Sequence, residues 1–379
     1  MDVVIVGAGA FGASLAWWLA RAGENVTLVD QFEPGDRRAS SGGETRLLRC
    51  SHGTDPVYTA MARRARTLWR ELEDESGEHV FVECGMAWFA HREDGWEAAS
   101  DLTLADQGIP VERLDVAAAA RLYPSFHGGD LAFVLLEPEA GVLRSRHAVQ
   151  TLAAQTAAHG GRIVRGRARP DGASAVLEDS TRLEGDIVVW ACGGWLAGLF
   201  GDVVSLAVTC QELLFLDGGP EWREPGVPAW VDYDCALYGT ADIDALGVKA
   251  ALDIEGPPLD PDAELPDTAT AEPEVRAYLH DRFPSLEHAP LREARTCRYE
   301  LTVDTHFIAS SHPAYPSVWL VGGGSGHGFK HGPALAERLV AALVGGDPLP
   351  SDFALGPRQR SRSLRTAGSG IETPLVQRS

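Results

Sequence analysis

The chain has 379 residues, 45% hydrophobic and 23% charged, a composition ordinary for a globular protein. That length exceeds the size at which one core keeps growing, so two interleaved or consecutive domains are expected. A net charge of −21 repels polyanions, so neither nucleic acid nor an anionic membrane is expected as a partner.

No apolar run has the length of a bilayer-spanning helix. The sequence opens on a strand rather than on a charged leader, an apolar segment and a cleavage site, and a cytoplasmic location is expected. The cysteines at 50, 84, 192, 210, 235 and 297 show neither CxxC pairing nor clustering. They are read as mostly buried small hydrophobes rather than as a zinc site or a disulfide framework.

The first thirty residues, MDVVIVGAGAFGASLAWWLARAGENVTLVD, read as a strand (Val3 to Val6), a glycine turn, a helix (Ala13 to Arg21, stopped by Gly23) and a second strand ending in an acid. Gly7-x-Gly9-x-x-Gly12 places a glycine at each position where a dinucleotide needs one. Gly7 makes the tight turn, Gly9, beside Ala10, lets a pyrophosphate approach the backbone, and Gly12 permits close packing of helix on strand. The diphosphate then meets the helix N-terminus, and Asp30 stands where a carboxylate accepts from the ribose hydroxyls. Nicotinamide and flavin both fit this unit. A second such fingerprint is absent, so a reductase with two dinucleotides is not expected.

The arginine-bearing loop SSGGETRLLRC follows, and then a long amphipathic helix, DPVYTAMARRARTLWRELEDESG. The stretches HVFVECGMAWFAHR, ELLFLDG and PAWVDYDCALYGTADIDALGVKAALD read as antiparallel strands. Between them, SRHAVQTLAAQTAAHGGRIVRG and GDIVVWACGGWLAGLF return to helix and buried strand. The Pro- and Asp-rich EGPPLDPDAELPD is a loop before a helix from Pro273 to Phe283.

Near the end, SVWLVGGGSGHGFKHGPALAERLVAALVGG is strand, glycine turn and helix. Its glycines, among them Gly324, Gly326 and Gly328, let backbone N–H groups approach a planar ligand. His327 and His331 have H-x-x-x-H spacing but straddle the turn with no acid nearby, and no metal is expected. The last stretch, from Arg358, is read as a flexible tail. The chain holds only two lysines, Lys249 and Lys330, against 31 arginines, which marks both as candidate sites for a compact point charge.

The blocks predict an α/β protein: a Rossmann-like dinucleotide domain (1–81, 143–207 and 304–357) with an interleaved substrate domain (82–142 and 208–303) on a large, mostly antiparallel sheet, and a tail at 358–379.

The loop GGETRLLR, the segment EPEAGVL, the stretch TCRYELTVDTHF and the block GGSGHGFK occur in an order that resembles the monomeric sarcosine oxidase and N-methyltryptophan oxidase family, within the D-amino-acid oxidase superfamily. The likeness runs from residue 2 to about residue 356. It implies FAD, joined through its 8-methyl carbon to Cys297, with Arg295 or Arg298 supplying the positive surroundings that lower a thiol pKa. It places Lys249 at the flavin N5 edge, where an ammonium favours electron transfer to O2. Arg49 and Lys330 match the pair that holds a substrate carboxylate, Tyr238 and Tyr299 line the pocket, Arg46 lies against the flavin, and His327 belongs to the same catalytic block.

Two positions depart from the family's sarcosine oxidases: Gly42 and Asp253 stand where those enzymes carry histidine. The exchange at 253 alters pocket charge and proton handling, and an acid there resembles the piperideine-carboxylate oxidase of nikkomycin biosynthesis. The expected function is an FAD-dependent oxidase of a secondary or cyclic α-amino acid, passing hydride to flavin N5 and electrons to O2 to give an imine and H2O2. The alternatives are a biosynthetic imino-acid oxidase or desaturase, and a flavin-dependent dehydrogenase with another acceptor. A decayed dinucleotide-binding protein is disfavoured by the retention of both lysines and Cys297. A monomer is expected.

Overall fold

The computed structural model describes residues 1–359. Strand β1 (Asp2–Val6) is buried from Val3 to Val6, as a strand covered on both faces of a parallel sheet must be. It pairs in parallel with β2 (Asn25–Asp30) on one side and with Ile187–Trp190 on the other. Arg162–Arg165 extends the sheet beyond β2, while Tyr315–Gly322 and an antiparallel edge strand, Ile308–His312, complete its six strands.

Helix α1 (Ala10–Arg21) packs on this sheet and against helices Gly332–Val340 and Ser145–Ala158. It begins at Ala10, three residues before the expected Ala13, because the turn from β1 is complete by Gly9. A short strand, β3 (Thr45–Leu48), follows, and then helix α2 (Pro56–Ser76). Asp55 caps α2 by accepting from the Val57 and Tyr58 N–H groups at 3.0 Å each, with proline in the first turn and Gly77 in the left-handed region (φ 73°) at its end. The buried face of α2, including Met61, Leu68, Trp69 and Leu72, joins α1 in one apolar core.

The second large sheet has eight strands, in the order Leu291–Leu301, Ala207–Leu216, Val248–Leu252, Leu237–Asp242, Ala229–Asp232, Met86–Ala90, Phe133–Glu137 and Glu112–Leu114. All its pairings are antiparallel except that of Ala229–Asp232 with Met86–Ala90. Its own core holds Trp88, Trp222, Trp230 and Phe283. The chain is therefore a mixed α/β protein whose parallel sheet draws on residues 2–30, 162–190 and 308–322, and whose antiparallel sheet draws on 86–137 and 207–301.

Two expectations change. Only Cys50 and Cys297 are buried; Cys84, Cys192 and Cys210 are half-buried, Cys235 is exposed, and all six are free thiols. Cys84, Cys192 and Cys235 lie at strand ends and turns and Cys210 on a strand's half-covered face, so their small size does not ensure burial. Arg358, placed in the tail by its polar surroundings, is anchored. Its guanidinium donates to Asp304 and to the carbonyls of His306, Phe307 and Ala354. The remainder of the expected tail, from residue 360, lies outside the described residues. Among the described residues no helix is long and apolar enough to cross a membrane.

Candidate active site

A cavity of about 760 Å³ runs from the turn between β1 and α1 to the Gly322–Gly328 loop and strand Leu291–Leu301. The turn explains its near end. Gly7 has φ +108°, and a β-carbon there would stand 2.3 Å from the Ala191 carbonyl oxygen. At Gly12 a β-carbon would stand 1.8 Å from the Gly7 carbonyl oxygen, so Gly12 lies beneath the turn and lets the helix close onto it.

Gly9 gives α1 no side-chain cap, and its first turn holds no acid, leaving a helix N-terminus suited to an anion. The Ala10 N–H donates to Ser41 Oγ at 2.9 Å. Asp30 closes this end, accepting from the Ala8 N–H at 2.6 Å and the Phe32 N–H at 2.8 Å, while burial pushes its pKa up. Gly7, Gly9, Ala10, Asp30, Gly324, Gly326 and Gly328 all line the cavity. Glycines that backbone contacts require, a helix N-terminus opening on the cavity and a carboxylate at the strand end fit the diphosphate and ribose of a dinucleotide such as FAD.

A smaller pocket of about 70 Å³ opens off this cavity, the two sharing Arg46, Tyr299, Gly326 and Phe329 in their walls. Cys297, Arg49, Tyr238, Lys249, Asp253, His327 and Lys330 also line it, so the last six and Tyr299, the seven residues singled out as catalytic, meet here although they are up to 281 positions apart. The antiparallel register aligns the strand residues among them, while Arg49, His327 and Lys330 come from the loops and turn facing the sheet. Lys249 lies opposite Thr240 and Phe215, Tyr238 opposite Ala251, and Cys297 and Tyr299 share one face of strand Leu291–Leu301.

Lys249 is 2% exposed. Its ammonium donates to the Thr45 carbonyl at 3.4 Å and lies 5.0 Å from the Tyr238 ring centroid. Burial, reinforced by Arg46, pushes its pKa down to about 7. Lys330 donates to the His327 carbonyl at 2.8 Å, and burial with Arg49 nearby holds it well below the usual lysine range. The Arg49 guanidinium sits 4.9 Å from the Trp88 ring centroid and donates to the Ser51 carbonyl. Tyr238 and Tyr299 share the pocket wall, and burial first, then Tyr299, holds the Tyr238 hydroxyl well above its usual range. Asp253 is half-buried and faces the pocket, where its charge bears on Arg49 and Lys330.

The positive neighbour of Cys297 is not the one the sequence suggested. Arg298 points to the opposite face of the strand, donating to the carbonyls of Arg38 and Ala263, and Arg295 is paired with Glu293 and Glu44. It is Arg46 that reaches Cys297, with Nη2 3.2 Å from Sγ, while also donating to the Thr45 and Ser40 carbonyls at 2.7 Å each. Adjacency misled at Arg298, since neighbours along a strand face opposite ways, and Arg295, on the same face as Cys297, is drawn off by its two carboxylates.

The histidine pair also gains a member. His52 joins His327 and His331, with ring nitrogens within 4.8 Å of one another. His52 Nδ1 lies 3.0 Å from the Cys50 carbonyl and its Nε2 lies 3.3 Å from His331 Nε2. Burial first, then Lys330, pushes His52 and His331 well down. His52 and His331 are thus held neutral, and the Arg49 guanidinium nearby opposes a metal ion. Glu300, a buried acid on the cavity wall, was also missed.

Comparison with known proteins gives this geometry a family. Residues 2–343 match the family model for FAD-dependent oxidoreductases of the DAO type. Monomeric sarcosine oxidase of Streptomyces avermitilis is 30% identical over 90% of this chain and 93% of its own. N-methyl-L-tryptophan oxidase of Yersinia pestis is 29% identical over 93% of this chain and 97% of its own. Among solved structures, NikD, described as an unusual amino acid oxidase essential for nikkomycin biosynthesis, superposes with a TM-score of 0.78 at 20% identity, covering 95% of this chain and 98% of its own. With a matched span of nearly the whole chain and a cavity shaped for a dinucleotide, the protein belongs to the DAO family of FAD-dependent oxidoreductases.

Proposed function

We propose that the enzyme oxidises the C–N bond of a small secondary or cyclic α-amino acid, as the sarcosine and N-methyltryptophan oxidases it resembles do with theirs. The observation that carries this reading is the pocket off the cofactor cavity, where two buried basic side chains, Arg49 and Lys330, face one carboxylate, Asp253. FAD, held by the Gly7–Gly12 turn and the Gly324–Gly328 loop and joined to Cys297, supplies the hydride acceptor and the return of electrons to O2, with an imine and H2O2 as products. Residues 1–81, 143–207 and 304–357 would form the cofactor domain, with 82–142 and 208–303 completing the substrate side.

Arg49 grips the substrate carboxylate in its planar fork while Lys330 adds a point charge. Because burial beside Arg49 disfavours the Lys330 ammonium, an arriving carboxylate is what stabilises it, so docking of the substrate and protonation of Lys330 are coupled. The aromatic walls, Tyr238, Tyr299 and Trp88, exclude water and strengthen these contacts. Positioning of the carbon beside nitrogen then does most of the work. Lys249 holds its proton over the Thr45 carbonyl and offers positive charge to the oxygen step.

Asp253 favours a second reading, in which the substrate is a cyclic imino acid and the carboxylate takes a proton from ring carbon or nitrogen. The test is a screen of sarcosine, N-methyl amino acids, proline, pipecolate and its dehydro form by anaerobic bleaching of the flavin, followed by product analysis. Aldehyde release marks N-demethylation, whereas a ring imine keeps every carbon. A screen in which none of these amines bleaches the flavin overturns both readings.

A further inference from the structure

Strand Leu291–Leu301 turns Cys297 and Tyr299 toward the small pocket and Glu300 toward the large cavity. Glu300 is 8% exposed. Its Oε1 accepts from the Gly324 N–H at 3.2 Å, whereas Oε2 has no hydrogen-bond partner among the described residues. Oε2 lies against Gly193, another residue of the cavity wall, where a β-carbon would stand 2.9 Å from it. A side chain at 193 would press on this oxygen; glycine leaves only backbone beside it.

A buried polar atom without a partner is costly and rare in a native protein, which makes Oε2 a site waiting for a ligand atom. Burial pushes the pKa of Glu300 up to about 7, opposed only by the Gly324 N–H. Around it, the turn after Ile187–Trp190 offers the Cys192 thiol, itself pushed up by burial, Asp30 and Glu300. The adjacent strand offers Val208 directly across, and the glycine loop offers backbone. With Oε1 occupied by an N–H donor, the proton of the neutral acid sits on Oε2.

We propose that Glu300 binds FAD as a neutral acid, its Oε2–H donating to an oxygen of the hydroxyl-bearing chain that links the flavin ring to the phosphates. The assignment rests on the reading that the ring lies at Cys297 and the phosphates at the Gly7–Gly9 turn. Glu300 stands three residues from Cys297, about 10 Å along the strand, between those two ends. Ionisation would place an unpaired negative charge in the same cavity as a diphosphate, so the bound cofactor holds the proton on Glu300 more firmly than the empty cavity does.

The experiment measures the dissociation constant of FAD by flavin fluorescence between pH 5.5 and 9, in the Cys297→Ser protein and in Cys297→Ser carrying Glu300→Gln or Glu300→Ala. Thermal midpoints of the cofactor-free proteins are recorded alongside. The expected result is FAD affinity that is constant below the free Glu300 pKa and falls as pH rises past about 7, by up to tenfold per pH unit. Glu300→Gln, which keeps a neutral donor, should bind within about threefold of its parent and lose the pH dependence, and Glu300→Ala should bind about tenfold or more weakly. The proposal is overturned if Glu300→Ala holds FAD as tightly as its parent, or if its loss of affinity is matched by an equal loss of stability in the cofactor-free protein while the parent shows a flat pH profile. Whether wild-type protein stays yellow after acid precipitation tests the Cys297 linkage separately.

Discussion

At Cys297 the thiol lies 3.2 Å from an arginine whose guanidinium also holds two loop carbonyls, so the thiolate needed for attachment has a fixed positive partner. Acid-precipitated holoprotein is expected to remain yellow and to carry the mass of FAD, and Cys297→Ser to release the colour; a colourless wild-type pellet would remove the linkage. The role proposed for Lys249 belongs to a different step. Its ammonium form exists below a pKa of about 7 in the cofactor-free protein, and a negatively charged reduced flavin beside it would raise that value. Reoxidation should therefore be fastest at low pH and slow as pH rises through the raised pKa. In stopped flow, Lys249→Met should slow the oxygen step by about 10²–10³-fold and remove this pH dependence, with anaerobic reduction much less affected. If only the reductive step suffers, the role assigned to Lys249 is wrong. For Asp253, Asn keeps the size and removes the charge. An unchanged kcat/KM for the best substrate in Asp253→Asn would return the reading to a sarcosine-like enzyme.

Among the elements, the opening βαβ unit was legible because its glycines answer to local sterics. The same contact that reserves position 12 for glycine, 1.8 Å between a β-carbon at that position and the Gly7 carbonyl oxygen, predicts that Gly12→Ala pushes α1 off the turn. Overpacking of this kind costs about 1–3 kcal/mol, and the variant should purify with little flavin absorbance; full FAD content would refute the packing argument. The strands of the antiparallel sheet were legible as alternating stretches, but their order was not, since it depends on pairings between segments far apart in the chain. That is why Lys249, Asp253 and Lys330 entered through family likeness and composition, while Arg46 was missed as the partner of Cys297 and His52 as the third histidine. Each of those contacts joins segments far apart in the chain. Glu300 was hidden for a related reason, because its meaning comes from Gly193 and Gly324 on other segments.

For the whole molecule, the cofactor cavity draws its walls from the parallel sheet's turns, the loop at 39–46, the strand pair Ala207–Leu216 and Leu291–Leu301, and the loop at 258–262. Each large sheet has its own apolar core, so neither needs FAD to fold its centre, yet the segments between them face one another across about 760 Å³. A ligand that fills such a space and binds only the folded chain stabilises it by an amount set by its concentration over its dissociation constant, about 2.7 kcal/mol at a hundredfold excess. Removing FAD from the Cys297→Ser protein should therefore lower the thermal midpoint, and adding FAD back should restore it. Amide exchange should quicken chiefly in the 39–46, 258–262 and 322–328 segments, while β1, α1 and strand Met86–Ala90 keep their protection. Equal loss of protection across both cores would mean that the cofactor organises the fold itself, and the picture of two self-sufficient sheets joined across a cofactor would have to be abandoned.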